Sequence, residues 1–137
     1  MKFNTLIPEL SVSDFSISLH FYTKILGFKI EYDRPEKKFA FISYQGSQLM
    51  IEQINNTWFV GDLEKPYGRG INFQIESDNI KSLIDSLTKH KYSIFQDPED
   101  NWYRQGNQLL GCREFLVQDP DGYLLRFSED LGKKKVK

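Results

Sequence analysis

Few side chains in this sequence are of the types that act as nucleophiles. The single cysteine, Cys112, is accompanied by two histidines, His20 and His90, and a thiol beside an imidazole is the arrangement of a cysteine nucleophile. However, His20 falls inside a helical pattern and His90 beside the end of a second one, so the spacing brings neither histidine to Cys112. The sequence therefore favours an inert thiol.

A second set of residues is suited to binding a molecule rather than transforming it. Arginine can hold an anionic group through two parallel hydrogen bonds, and flat aromatic rings can stack on a planar ligand. Two alternatives remain open, since Arg126 could form a structural ion pair with Glu52, and Trp102 and Tyr103 could hold a loop in place. The predicted ligand-binding residues are Glu52, Asn72, Trp102, Tyr103, Glu114 and Arg126.

The composition is that of a protein with a hydrophobic core and without the charge of a nucleic-acid binder. The chain has 137 residues, of which 39% are hydrophobic and 15% aromatic, and its formal net charge is −1. Residues 1–132 carry 14 basic and 19 acidic residues, a net charge of −5, because four lysines lie in the last five positions. We expect one duplicated domain over residues 1–132, a disordered lysine-rich tail over residues 133–137, and no nucleic-acid partner.

The same sequence indicates a cytoplasmic location. No apolar run has the length of a signal peptide or of a membrane-spanning helix, so we expect no membrane contact. One cysteine cannot form an intrachain disulfide, which excludes a disulfide-stapled secreted domain.

The apolar pattern of the first half predicts the element order β-α-β-β-β. Residues 6–12 alternate as in a strand, Ser13-Asp14 is a helix-capping pair, and helical spacing then runs from Phe15 to Leu26. A hairpin turn is expected at residues 45–47. The remaining strands are expected at residues 28–32, 39–44 and 48–53.

The second half repeats this order, and such an internal repeat predicts a duplicated unit. Its helix is expected to follow the capping pair Ser77-Asp78 and to run from Ile80 to Leu87. Asp97–Leu110 is expected to be a long connection, and Asp119–Gly122 the last turn. Strands are expected at residues 71–75, 92–95, 113–118 and 123–128.

Strand alternation assigns the side chains of each predicted sheet to two faces. The apolar faces are expected to hold Leu10, Val12, Phe39, Phe41, Leu49 and Ile51, then Ile71, Phe73, Ile75, Phe115, Val117, Leu125 and Phe127. The half-polar faces are expected to include Glu9, Ser11, Ala40, Ile42, Met50 and Glu52, then Asn72, Gln74, Glu114 and Arg126. The fold class is therefore α+β, with two tandem β-α-β-β-β modules, about residues 3–56 and 68–131, whose curled mixed sheets surround a cup suited to a small ligand.

Three segments carry a family resemblance. They are PELSVSD at residues 8–14, Phe21-Tyr22 with Leu26-Gly27-Phe28, and REFLVQDPDGYLLRF at residues 113–127. Together they resemble the glyoxalase/bleomycin-resistance group, which is the vicinal oxygen chelate superfamily. The resemblance extends over about residues 3–131. It implies the paired-module fold and a homodimer with pockets at or near its interface.

The resemblance also implies where the metal-dependent members of the superfamily hold their ion. The four corresponding positions in this chain are Ile7, Glu52, Gly70 and Arg126. Ile7 and Gly70 offer no donor atom, and the guanidinium of Arg126 would repel a cation. We therefore expect no metal and no other cofactor.

Arg126 in the phrase Leu-Leu-Arg, together with Pro8, resembles the bleomycin-resistance proteins, which sequester a drug without chemistry. The expected function is sequestration of a small molecule, either bleomycin-like, with a role in antibiotic resistance, or another aromatic or anionic compound. Strong acidity is usual in such drug-binding relatives and is missing here, which favours a ligand other than bleomycin. The alternative is a superfamily enzyme, such as a lyase, isomerase or dioxygenase-like member, that uses other residues.

Overall fold

Two stretches of the chain with the same element order form two sheets in the computed structural model, which describes residues 1–136. Unit 1 comprises Met1–Arg69 together with Asp119–Tyr123. Unit 2 comprises Gly70–Gln118 and the chain from Leu124 onward. No helix within residues 1–136 has the length and the apolar character needed to cross a membrane.

Unit 1 has the predicted order of elements. Its helix α1 (Phe15–His20) begins after Asp14, whose carboxylate accepts the backbone N–H of Ile17 at 3.2 Å, as expected of a helix cap. A π-helical turn, Phe21–Ile25, continues the helix. The strands are β1 (Glu9–Val12), β2 (Lys29–Arg34), β3 (Phe39–Tyr44) and β4 (Ser47–Gln53).

The sheet of unit 1 has the strand order β1-β4-β3-β2, with β1 parallel to β4 and the other pairs antiparallel. Its register corrects the predicted faces. Phe39 lies opposite Glu52 and Phe41 opposite Met50, so these two phenylalanines share the face of Glu52. Ala40 and Ile42 belong instead to the face that holds Leu10, Val12, Leu49 and Ile51.

The turn between β3 and β4 explains this error. It has two residues, Gln45 and Gly46, with φ of 45° and 91°, and Tyr44 pairs directly with Ser47. Positive φ at both central positions is the geometry that matches the twist of a tight hairpin. The sequence predicted a three-residue turn, and a slip of one residue moves every side chain of a strand to the other face.

Unit 2 repeats the topology, with the strand order β5-β8-β7-β6 and a parallel β5–β8 pair. Its helix α2 (Ile80–Lys89) is capped by Asn79, which accepts the backbone N–H of Ser82 at 3.2 Å. The predicted pair Ser77-Asp78 lies too early in the chain to serve as this cap. The strands are β5 (Asn72–Glu76), β6 (Gln96–Gln105), β7 (Gln108–Gln118) and β8 (Leu124–Lys135).

The connection predicted over Asp97–Leu110 is instead the outer part of a long antiparallel hairpin formed by β6 and β7. The predicted strand at residues 92–95 is absent, and β6 starts at Gln96. Acidic residues and Pro98 have low strand propensity, but an edge strand tolerates proline, and pairing with β7 overrides the local preference.

The lysine-rich end of the chain belongs to strand β8. Lys133 lies opposite Leu110, and Lys135 lies opposite Gln108. The prediction of a disordered tail is therefore wrong for residues 133–135, because β7 is long enough to pair with them. Lys137, the last residue of that predicted tail, lies outside the described residues.

Candidate functional site

One face of the sheet in unit 2 carries a connected set of hydrogen-bonded side chains, which we call the polar cluster. All four strands contribute to it. Its members are Asn72 and Gln74 of β5, Asn101 and Tyr103 of β6, Glu114 of β7, and Arg126 of β8.

Arg126 lies at the centre of the polar cluster. Its Nε donates to Oδ1 of Asn72 at 3.1 Å, and its Nη2 donates to Oε1 of Gln74 at 3.1 Å. Its Nη1 donates to Oε2 of Glu114 at 3.2 Å. The parallel register places Gln74 directly beside Arg126, so these contacts follow from the sheet itself. The guanidinium is thereby fixed in direction, while 31% of the side chain stays exposed.

Glu114 is the buried carboxylate of the polar cluster, with only 5% of its side chain exposed. Besides Arg126, it accepts the amide N–H of Asn101 at 3.1 Å and the hydroxyl of Tyr103. The hydrogen bond to Glu114 raises the pKa of Tyr103, and burial adds to this rise. A carboxylate that accepts from three donors is well compensated, and it is poorly placed to remove a proton from a substrate.

Four of the six predicted site residues therefore meet in the polar cluster, namely Asn72, Tyr103, Glu114 and Arg126. Gln74 was not predicted as a site residue, although it is two positions from Asn72 and shares its face. Asn101 was missed because its strand was predicted to be a loop.

Trp102 has the packing role that the sequence left open as an alternative. Its side chain lies on the opposite face of β6 from those of Asn101 and Tyr103. It contacts Gly111, where an added Cβ would lie 2.6 Å from the indole ring. The ammonium of Lys134 lies 3.9 Å from the centroid of the same ring. These contacts hold the hairpin and the end of β8 together.

Glu52 lies in unit 1, on β4, where its carboxylate accepts the side-chain N–H of Asn55 at 2.9 Å. The sequence left open an ion pair between Glu52 and Arg126, whereas in the structure Arg126 pairs with Glu114 of its own sheet. The register explains this choice, because Glu114 and Arg126 lie diagonally on adjacent strands.

The positions at which the family resemblance implies metal ligands do not fit a metal in this chain. Ile7 and Gly70 have no donor atom, and Glu52 is the one carboxylate among the four. At the fourth position, the cation Arg126 is bound by three oxygen acceptors. Among residues 1–136, no group of three or more His, Cys, Asp or Glu is arranged to hold an ion.

Unit 1 contains a different buried carboxyl group, that of Asp119. It accepts the hydroxyl of Tyr22 at 2.8 Å and the backbone N–H groups of Asp121 and Tyr123, each at 2.9 Å. Burial raises its pKa from 3.8 to about 6, against the opposing effect of these hydrogen bonds. Because its donors are its own turn and a buried core tyrosine, Asp119 stabilises the turn that the sequence predicted at Asp119–Gly122.

Comparison with known proteins places these features in a family. The model of the Glyoxalase/Bleomycin resistance protein/Dioxygenase superfamily matches residues 4–127. A probable lactoylglutathione lyase of Vibrio cholerae is 26% identical over 126 residues, which cover 88% of this chain and 86% of that protein. Glyoxalase domain-containing protein 4 of Rattus norvegicus is 28% identical over 121 residues, again 88% of this chain but only 39% of the relative's length.

A solved structure shows the same fold. TioX from Micromonospora sp. ML1 aligns with a TM-score of 0.71 and 17% sequence identity, covering 93% of this chain and 99% of that one. The α+β fold of two mixed sheets predicted from the sequence is thus confirmed. The chain belongs to the glyoxalase/bleomycin resistance protein/dioxygenase superfamily.

Proposed function

We propose that this protein binds a small molecule at the polar cluster and releases it unchanged, as a bleomycin-resistance-like sequestering protein without a metal site. The observation that supports the proposal is Arg126, a fixed cation at a position where metal-dependent relatives are expected to carry a ligand. Its three acceptors orient the guanidinium before any ligand arrives, which reduces the entropy lost on binding.

The chemistry of the polar cluster favours a ligand with anionic or carbonyl oxygen atoms. The side-chain oxygens of Asn72 and Gln74 are engaged by Arg126, so their amide nitrogens remain as donors on two exposed residues. The hydroxyl of Tyr103 is committed to Glu114, but the residue is 44% exposed, which leaves its ring as a stacking surface. A planar compound with a carboxylate or amide group matches this combination.

The lactoylglutathione lyase activity in the names of some relatives is not part of the proposal. That activity would need a proton-accepting group, and the carboxylate of the polar cluster already accepts from three donors. We further propose a homodimer and a role in antibiotic resistance on the strength of the family resemblance, and a cytoplasmic location because the single cysteine forms no intrachain disulfide.

A ligand screen with matched variants tests the proposed function. Anionic, neutral and cationic compounds, with bleomycin among them, are screened by thermal shift, and binding is then measured by calorimetry. We expect planar anionic compounds to raise the melting temperature of the wild type. The exposed residue Asn72 supplies the test variant Asn72→Ala, which should bind these compounds more weakly.

Arg113→Gln is the matched control, because this arginine lies in the same unit and pairs with Asp100 at the surface. It should bind as the wild type does. Recovery of the compounds unchanged after incubation, with no lactoylglutathione lyase activity with or without divalent metal, supports sequestration. Turnover of any bound compound, or undiminished binding by both Asn72→Ala and Arg126→Gln, would contradict the proposal.

A further inference from the structure

Unit 1 contains a cleft of about 290 Å³ whose lining shares no residue with the polar cluster. Strand β1 lines it through Glu9 and Ser11, and the segment from Trp58 to Leu63 lines it as well. Tyr123, which belongs to unit 1, adds its ring and donates its hydroxyl to the backbone oxygen of Ser11 at 3.0 Å. The cleft therefore combines a strand, a loop and a fixed aromatic side chain.

The loop that presents Trp58 is built on strand β4. Asn55 donates to the carboxylate of Glu52 at 2.9 Å, and its side-chain oxygen accepts the backbone N–H of Thr57 at 2.9 Å. The following residue, Trp58, has a φ of 66° and is 81% exposed. Its position is thus set by the strand and the turn, and the indole remains uncovered beside the cleft.

The charged groups that line the cleft are acidic. Glu9 and Asp62 contribute carboxyl groups, and none of the described residues lining the cleft is basic. The acidic lining therefore favours a ligand that carries a positive charge.

We propose that this cleft binds a small organic cation, namely a protonated or quaternary amine attached to a single ring. Indole, phenyl and phenol faces attract cations, and the carboxylates supply the opposite charge. The volume lies just below the range of about 300–1,000 Å³ for sites of drug-sized ligands, which fits one ring with a short chain. This site takes the opposite charge to the polar cluster and does not depend on the proposed function.

Fluorescence of Trp58 provides a direct test with phenethylamine as the probe. The chain has two tryptophans, so a Trp102→Phe background makes Trp58 the one that reports. We expect a saturable fluorescence change with phenethylamine, binding of 2-phenylethanol that is about five- to tenfold weaker, and no saturable change with 3-phenylpropionate. Calorimetry on the wild-type chain repeats the comparison in case the background variant is poorly folded.

Substitutions then identify the groups that recognise the cation. Glu9→Gln and Asp62→Asn keep the shapes of the side chains and should each weaken phenethylamine binding about three- to tenfold. Glu76→Gln, an exposed acid on β5 of unit 2, is the matched control and should leave binding unchanged.

Two outcomes would overturn the proposal. One is the absence of saturable binding of phenethylamine to the wild type up to about 10 mM, an affinity too weak for a formed site. The other is recognition that does not depend on charge. It would be seen as equal affinity for phenethylamine and 2-phenylethanol, or as equal affinity of the wild type and Glu9→Gln for phenethylamine.

Discussion

The two sheets have the same strand order, but each holds one arginine on its face in a different way. In unit 2, Arg126 is bound by three side-chain oxygens. In unit 1, the guanidinium of Arg34 lies 4.0 Å from the ring centroid of Phe39, and the rings of Tyr32 and Phe41 stack nearby with their centroids 5.1 Å apart. Duplication has therefore preserved the topology while one face became aromatic and the other a hydrogen-bonded network.

The two units also differ in how they compensate a buried carboxyl group. Glu114 in unit 2 has a cation beside it, whereas the hydrogen-bond donors of Asp119 in unit 1 are neutral. Burial raises the pKa of Asp119 to about 6, although its hydrogen-bond donors act in the opposite direction. Although the two units share a fold, we expect stability to be most sensitive to mutation at Arg126 in unit 2 and to pH at Asp119 in unit 1.

The largest expected effect is that of Arg126→Ala. Removing the cation leaves the carboxylate of Glu114 buried without a countercharge, and breaking such a pair lowers the free energy of unfolding by about 3–5 kcal/mol. Urea denaturation measures the change. Glu52→Ala on the sheet of unit 1 is the comparison, and it should lower stability by less than about 1 kcal/mol. Equal losses for the two variants would remove the proposed difference between the sheets.

The second effect concerns pH and the carboxyl group of Asp119. Because its folded pKa of about 6 lies above the ordinary value of 3.8, its contribution favours folding below pH 3.8 and is lost as the pH rises through 6. Two pKa units correspond to about 3 kcal/mol, which is the largest loss expected from this group. Urea denaturation between pH 4 and pH 8 measures it.

Two variants check that assignment to Asp119. Asp119→Asn should flatten the pH dependence of stability over this range, because the amide does not titrate. Tyr22→Phe removes a donor that lowers the pKa, so the loss of stability should shift to higher pH. An unchanged profile in both variants would show that another group is responsible.

A third, smaller effect is expected from ending the chain after Gly132. Strands β7 and β8 have 11 and 12 residues, whereas β3 and β4 of unit 1 have 6 and 7. Truncation removes the pairing of residues 133–135 and the contact of Lys134 with Trp102, at about 1–2 kcal/mol in total. Thermal denaturation measures the loss, and Lys134→Ala alone should account for less than half of it. An unchanged melting temperature would mean that the extended ribbon contributes nothing to stability.

The smallest effect is expected for Arg34→Ala. Its guanidinium is exposed and is held by aromatic rings, a contact of about 0.5–1 kcal/mol at such sites. Arg34→Lys should retain part of this stability, because an ammonium also interacts with rings. A loss comparable to that of Arg126→Ala in the same urea measurement would contradict the contrast between the two arginines.

The sequence predicted the order of elements well because apolar periodicity and capping residues are local signals. It predicted turn length and strand length less well. The sequence predicted one residue too many in the turn at Gly46, and this error assigned Phe39 and Phe41 to the wrong face. The polar stretch from Asp97 has no strand pattern, so strand β6 was predicted to be a loop. Both features depend on pairing with a neighbouring strand, which no single segment encodes.

The polar cluster was predictable where strand alternation applied. Asn72, Glu114 and Arg126 lie on one face in both the prediction and the structure. The partner of Arg126 was not predictable, since a diagonal neighbour is defined only once the register of β7 and β8 is known. Asn101 could be recognised only after β6 had been identified as a strand.

Residues 119–123 belong to unit 1 although they follow most of unit 2 in the chain, and this order affects how the chain folds as it is synthesised. The hydroxyl of Tyr22 finds its buried acceptor in Asp119, 97 positions later, and the backbone N–H of Ser13 is accepted by Asp121, 108 positions later. A nascent chain that ends at Arg69 has all four strands of the first sheet but lacks both acceptors. The first sheet and its helix therefore gain their full set of hydrogen bonds only after most of the second half has been synthesised.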